Sequence, residues 1–196
     1  MVTIMLTKNQ GNNRYQQQIL CVEDLVPKNH ILRDVEQAID FNFIYDLVEG
    51  LYCEDNGRPS IDPVVLFKIV LIQYLFGIRS MRQTIKEIQV NMAYRWFLGF
   101  GFMDKIPSHT TFGKNYARRF ADTDIFEKIF ERILLEAVNA GFVDASAVFM
   151  DATHIKASAN TKKSKEEIVK IEAKHYHDEL MNEINKDRKD HGKKPC

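Results

Sequence analysis

Asp151 stands in the run Val148-Phe149-Met150-Asp151-Ala152-Thr153-His154-Ile155-Lys156, a carboxylate among apolar and β-branched residues. Alternation predicts a strand with Val148, Met150 and Ala152 on one face and Phe149, Asp151 and Thr153 on the other. A charge is unfavourable there unless a cation, hydrogen-bond donors or an open cleft lies beside it. Two chemistries fit: a carboxylate ligand to a metal ion, or a strand-end Asp accepting backbone N–H bonds from the turn that follows. His154 reads as a polar neighbour that orients the strand end, ahead of a role near a metal.

A second group of chemically capable residues follows Pro107-Ser108, where Ser108 caps a predicted helix. Phe112, Tyr116 and Phe120 repeat every four residues, so that face packs. Thr111, Lys114, Asn115 and Arg118 fall together on the opposite side, with Arg119 at its flank. After several short helices and tight turns, this resembles in outline the second helix of a helix-turn-helix unit, whose polar face reaches phosphates and base edges in a major groove. Ser108, Thr111, Lys114, Asn115, Arg118 and Arg119 are therefore the candidate DNA-binding residues. The alternative is a solvated basic face with no ligand.

The elements that must position these groups are mostly helical. Short helices are expected between Leu25 and Leu51, one of them capped by Asp40 with Phe43, Ile44, Leu47, Val48 and Leu51 on one face. Asn56-Gly57-Arg58-Pro59 is a turn leading to Asp62-Pro63, a cap followed by proline at the first helical position. The helix beyond is apolar nearly all round, which predicts a buried central helix ending at Gly77. Ser80-Met81-Arg82-Gln83 has capping-box spacing and opens a helix to about Gln89. From Asn91 another helix should carry Tyr94, Trp96, Phe97 and Leu98 into the core. Asp122 to Asp124 precede the clearest amphipathic segment, with Ile125, Ile129, Ile133 and Ala137 in one row and Phe126, Phe130, Leu134 and Val138 in the next, ending at Gly141.

Past the strand, Ala157 to Lys163 reads as loop. Ser164-Lys165-Glu166-Glu167 has capping-box spacing for a charged helical arm with a narrow stripe of Val169, Ala173, Tyr176, Leu180 and Ile184. His175 and His177 are two apart and so point away from each other on that helix, which argues against joint metal ligation. Lys186 to Cys196 reads as a loose charged tail.

Composition narrows the classes. At 196 residues the chain is long enough for a real core, and its net charge is zero. Residues 1–60 carry five Lys/Arg against nine Asp/Glu, and residues 61–196 carry 22 against 18, so any basic function must be local. Cys21, Cys53 and Cys196 form no Cys-x-x-Cys pair, which argues against a disulfide framework or zinc site and for a reducing cytoplasm. No stretch reads as a signal peptide, and the apolar run Val64–Ile78 is short of the roughly 20 residues a span needs. A soluble cytoplasmic protein with no membrane partner is expected.

Five segments, taken in series, resemble a known family: Gly57-Arg58-Pro59-Ser60-Ile61-Asp62-Pro63, Arg79-Ser80-Met81-Arg82, Tyr94-Arg95-Trp96-Phe97-Leu98-Gly99, Pro107-Ser108-His109-Thr110-Thr111-Phe112 and Met150-Asp151-Ala152-Thr153-His154-Ile155-Lys156-Ala157. In this order they resemble the N-terminal part of bacterial insertion-sequence transposases with an InsH-like N-terminal domain. The resemblance implies a helical DNA-binding region followed by a ribonuclease-H-like core with an Asp-Asp-Glu triad. Asp151 matches the first Asp, as catalytic residue and Mg²⁺ ligand. Such triads hold two Mg²⁺ ions about 4 Å apart on the scissile phosphodiester, first for hydrolysis and then for strand transfer. The implied partner is double-stranded DNA at the element's terminal inverted repeats, and self-association into a homo-oligomer stays open.

The acids after Asp151 (Glu166, Glu167, Glu172, Asp178, Glu179, Glu183, Asp187 and Asp190) all fall in or near the charged arm rather than in strands. The expectation is thus a transposase truncated before its second Asp and its Glu, and not catalytically competent alone. It would be mainly α, with a poorly ordered segment over 1–24, a helical DNA-binding domain over 25–142, and the first strand or strands of an incomplete ribonuclease-H-like core with a helical arm over 143–196. Two other readings stand beside it: a stand-alone DNA-binding regulator or inhibitor of transposition, and a helical remnant without a DNA role.

Overall fold

The computed structural model describes residues 13–52, 60–142 and 161–195. They are mainly helical, with no strand among them. Asp151 and the strand expected around it lie outside the described residues, as do Asn56-Gly57-Arg58-Pro59 and residues 1–12.

Nine α-helices are formed among the described residues: α1 (Val22–Leu25), α2 (Ile31–Ala38), α3 (Phe43–Val48), α4 (Pro63–Leu75), α5 (Met81–Val90), α6 (Met92–Phe97), α7 (His109–Arg119), α8 (Ile125–Asn139) and α9 (Thr161–Asp190). No helix among the described residues is long and apolar enough to cross a membrane.

The fold is built around α4. Its start is set locally: the Asp62 carboxylate accepts the Val64 N–H at 2.7 Å, and Pro63 occupies the first turn, where its missing N–H is not needed. Leu66, Phe67, Ile69, Val70, Leu71 and Ile72 are all at most 1% exposed, so the helix is surrounded on every side. It stops at Gly77, whose φ of 57° is open to glycine at little cost; Gly77 N–H returns to Tyr74 O and Ile78 N–H to Gln73 O. Around α4 lie α3 and α5, while α2 packs on α6 and α8.

The one cation of α4, Lys68, is buried among carbon rather than exposed. Its ammonium donates to both Glu36 oxygens (2.9 and 2.6 Å) and to Phe97 O (3.1 Å), and sits over the rings of Phe41 and Phe97. All its hydrogens are satisfied at the seam where α2 and α6 meet α4.

On the other side of α4 a set of rings joins the later helices. Phe67 meets Phe120 and Phe126, both at 5.4 Å between centroids. Phe126 also meets Tyr116 of α7 at 5.0 Å and His177 of α9 at 5.3 Å. Tyr74 and Phe130 close on Tyr176 of α9 at 5.2 and 5.1 Å. Contacts of this geometry add to the large area each ring buries.

Several local expectations change in detail. Asn42 rather than Asp40 stands at the N-cap of α3; the Asp40 carboxylate instead accepts the Asn42 N–H, and Leu47 is exposed. Trp96 is half-buried, whereas its neighbour Arg95 is buried. α9 begins at Thr161, ahead of the expected Ser164 cap, and runs through to Asp190, so the start of the expected loose tail is helical. Its stripe is as expected: Val169, Ala173, Leu180 and Ile184 are buried and Tyr176 partly so. His177 faces inward and His175 is exposed.

Candidate nucleic-acid interface

α7 owes its position to its ends and its buried face. The Ser108 hydroxyl accepts the Thr111 N–H at 3.1 Å and so starts the helix. Phe112, Tyr116 and Phe120 are each at most 1% exposed and anchor it against α8 and α4. The segment leading into α7 is held by Arg95, whose guanidinium donates to the carbonyls of Gly101, Phe102 (3.0 Å) and Asp104 (2.8 Å). A buried Arg bound to three carbonyls stitches this loop to α6.

That loop spans residues 98–108, longer than the three- or four-residue turn of a compact helix-turn-helix. α7 does pack on α5, and α5 on α6. The helix-turn-helix reading thus leans on α7 and its neighbour α5 rather than on a tight turn before α7.

The six residues expected to face DNA all lie on or beside α7, but not in equivalent states. Thr111, Lys114 and Arg118 are exposed on the side away from Phe112 and Tyr116. Ser108 is exposed too, with its hydroxyl engaged in the cap and within 2.9 Å of both Thr110 Oγ1 and Thr111 Oγ1. Asn115 is half-buried; its amide donates to Thr111 O at 3.0 Å, and its oxygen accepts from Arg119. Arg119 lies with its guanidinium 4.3 Å from the centre of the Tyr52 ring. Asn115 and Arg119 therefore brace one flank of α7, while Lys114 and Arg118 form its open cationic row.

The other flank of α7 meets α9, a neighbour that the reading of residues 108–120 did not foresee. Ile184 Cγ2 would lie 3.8 Å from a β-carbon built on Gly113. Asp187 pairs with Arg82 at 2.9 Å and lies 3.7 Å from His109 Nε2. Glu183 accepts from the Met81 N–H and from Gln73 Nε2 (3.2 Å). Burial pushes the Glu183 carboxyl above its usual range, while these two donors pull it down. The signal for this docking is the apolar period of α9, which runs on from Leu180 to Ile184 toward the cationic end.

Among the described residues, no group of three or more His, Cys, Asp or Glu side chains is placed to hold a metal ion. Asp151 lies outside them, so the geometry assigns no Mg²⁺ ligand and supports no step through one.

The architecture is that of a helical module presenting one cationic helix on a packed aromatic base. Residues 20–118, just over half of the chain, match the family model described as Transposase domain (DUF772), and the chain belongs to that family. The match begins just before α1 and ends at Arg118 inside α7, so it takes in Ser108, Thr111, Lys114, Asn115 and Arg118. No curated protein and no solved structure matches the chain.

Proposed function

We propose that this transposase-family chain binds double-stranded DNA through α7, at the terminal inverted repeats of a mobile element in the cytoplasm. The observation that carries the reading is the division of α7 into a buried aromatic face and an open face with Lys114, Arg118 and Thr111, inside the matched domain. Lys114 and Arg118 take phosphates and Thr111 reads base edges, while Asn115 and Arg119 brace the flank of the helix and Ser108 sets its start. Replacing Lys114 and Arg118 together by Ala is expected to weaken binding across sequences and to lower the slope of log K against log salt by about two. Unchanged affinity and slope in the double variant would remove α7 as the DNA contact.

For the reaction, Asp151 is the residue proposed as the first carboxylate of an Asp-Asp-Glu triad, with Mg²⁺ as cofactor of the phosphodiester chemistry. The described acids beyond it all lie on α9, and two of them, Glu183 and Asp187, are already bonded to α5 and its neighbours. That favours a chain that binds DNA without cutting it alone, either as part of a cut-and-transfer assembly, including a homo-oligomer, or as a regulator that occupies element ends. Incubation with a duplex carrying an element end and Mg²⁺ is expected to give no nicks. Nicking that disappears in Asp151→Asn would overturn this and make the chain an active nuclease.

A further inference from the structure

We infer that the last turns of α9 form the second bank of the DNA-binding surface, with Arg188 a phosphate contact beside Lys114 and Arg118. The inference rests on the α7 reading and extends it beyond the matched transposase domain, which ends at Arg118.

The α9 helix reaches this place because its apolar stripe lies along α8. The stripe ends at Ile184, against Gly113 of α7. Just past that point the charges sort themselves. Glu183 is turned to the first N–H of α5 and to Gln73, and Asp187 to Arg82 and His109. Glu183 and Asp187 are thus engaged in fastening the arm, which leaves Asp190 in one groove and Asp122 in the other. Lys186 and Arg188 are left at the surface grooves.

Two grooves run side by side here. One is lined by Lys114, Ala117, Arg118, Ala121, Asp122 and Arg188, three cations from two helices against a single acid. The other includes Arg79, Arg82, Lys114, Lys186, Arg188 and Lys193, together with His109, His191 and the acids Glu183, Asp187 and Asp190. Lys114 and Arg188 line both, so they form the ridge between them. Ala117 and Ala121 keep the first groove clear of bulk on the α7 side. Its three cations, Lys114 and Arg118 from α7 and Arg188 from α9, line it from two helices, which suits a continuous polyanion better than a lone small ion.

The Arg188 side chain is held in position. Its Nε donates to Lys194 O at 2.9 Å, which uses one of the five guanidinium donors. It also sits in the last turn of α9, where the helix dipole favours a cation. A half-buried, oriented arginine loses little freedom when it meets a phosphate.

The test is fluorescence anisotropy of the full chain with a short fluorescein-labelled duplex of mixed sequence, titrated between about 50 and 200 mM salt. Arg188→Ala is expected to weaken binding several-fold and to lower the salt slope by about one, while Arg188→Lys keeps the slope. Lys128→Ala, which removes an exposed α8 cation paired with Asp124, is expected to change neither. If Lys114→Ala/Arg118→Ala weakens binding and Arg188→Ala does not, α7 keeps its role and the α9 bank is overturned. Tighter binding by Arg188→Ala overturns it as well, since α9 would then obstruct the surface. If the unaltered chain does not bind the duplex at all, both readings fall together.

Discussion

The Glu183 carboxylate, near the end of α9, accepts the backbone N–H of Met81, the first residue of α5, across 102 residues of chain. Ser80 caps the same helix by accepting the Gln83 N–H at 3.2 Å, and the Gln83 side chain reaches forward to Glu87 rather than back. A remote acid therefore bonds at a helix start where a local capping box was expected.

This contact makes a pH prediction. Burial holds the folded-state pKa of Glu183 above the ordinary 4.5. A carboxyl raised in this way binds its proton more tightly when folded, so its favourable contribution is complete below about 4.5 and is lost as pH rises through the folded value. Glu183→Gln keeps an acceptor for Met81 without the buried charge. Thermal melts of the two proteins should diverge with pH, with Glu183→Gln gaining stability relative to the unaltered chain as pH rises from 4 toward 7. A pH-independent difference would count against a buried, charged Glu183.

Lys68 should separate charge from shape. Lys68→Ala removes the partner of Glu36, the contacts on two rings and the bond to Phe97 O. The loss is expected to be about 2–3 kcal/mol, below the extreme for a fully buried pair because Glu36 is partly hydrated. Lys68→Met retains the packing and should stay within about 1.5 kcal/mol of the parent in urea denaturation.

Gly113 occupies an α7 interior position with room for a methyl group. The added carbon would sit at 3.8 Å from Ile184 Cγ2, an ordinary contact. Gly113→Ala is expected to stabilise the chain by about 0.5–1 kcal/mol through the unfolded state and the helix propensity of Ala. A lowered melting temperature would show that α7 and α9 approach more closely than this.

Phe126 is the ring shared by α4, α7 and α9. Truncation to Ala should destabilise by about 3–5 kcal/mol, and Phe126→Leu by less than half of that, read from denaturation midpoints. A mild loss in Phe126→Ala would mean that the aromatic column is not the seat of the fold.

Much of this architecture is legible in the order of residues because it is local. Asp62-Pro63 begins α4, Ser108 begins α7, and the four-residue spacing of Phe112, Tyr116 and Phe120 marks the buried face. What is not legible depends on partners far along the chain. Arg95 looks exposed by type, and Trp96 looks buried. In the fold, three loop carbonyls gather Arg95 inward, while Trp96 keeps an edge out to donate to Glu23 with Arg33 over its ring. Arg188 escapes notice for a related reason: the charge of residues 186–196 hides a helix that continues to Asp190 on the strength of contacts made earlier, at Leu180 and Ile184. Asp151 shows the converse, since its sequence pattern is suggestive and its surroundings lie outside the described residues.

The aromatic column running from Phe67 through Phe126 to Tyr116 and His177 ties α7 to the central helix without an intervening hinge. Under the proposed binding mode a duplex would meet a preformed surface on α7, with ordering on the protein side confined to a few long side chains such as Lys114 and Arg118. Calorimetry of that encounter should accordingly show a small heat-capacity change, set by the contact area itself and not by folding of the helical module.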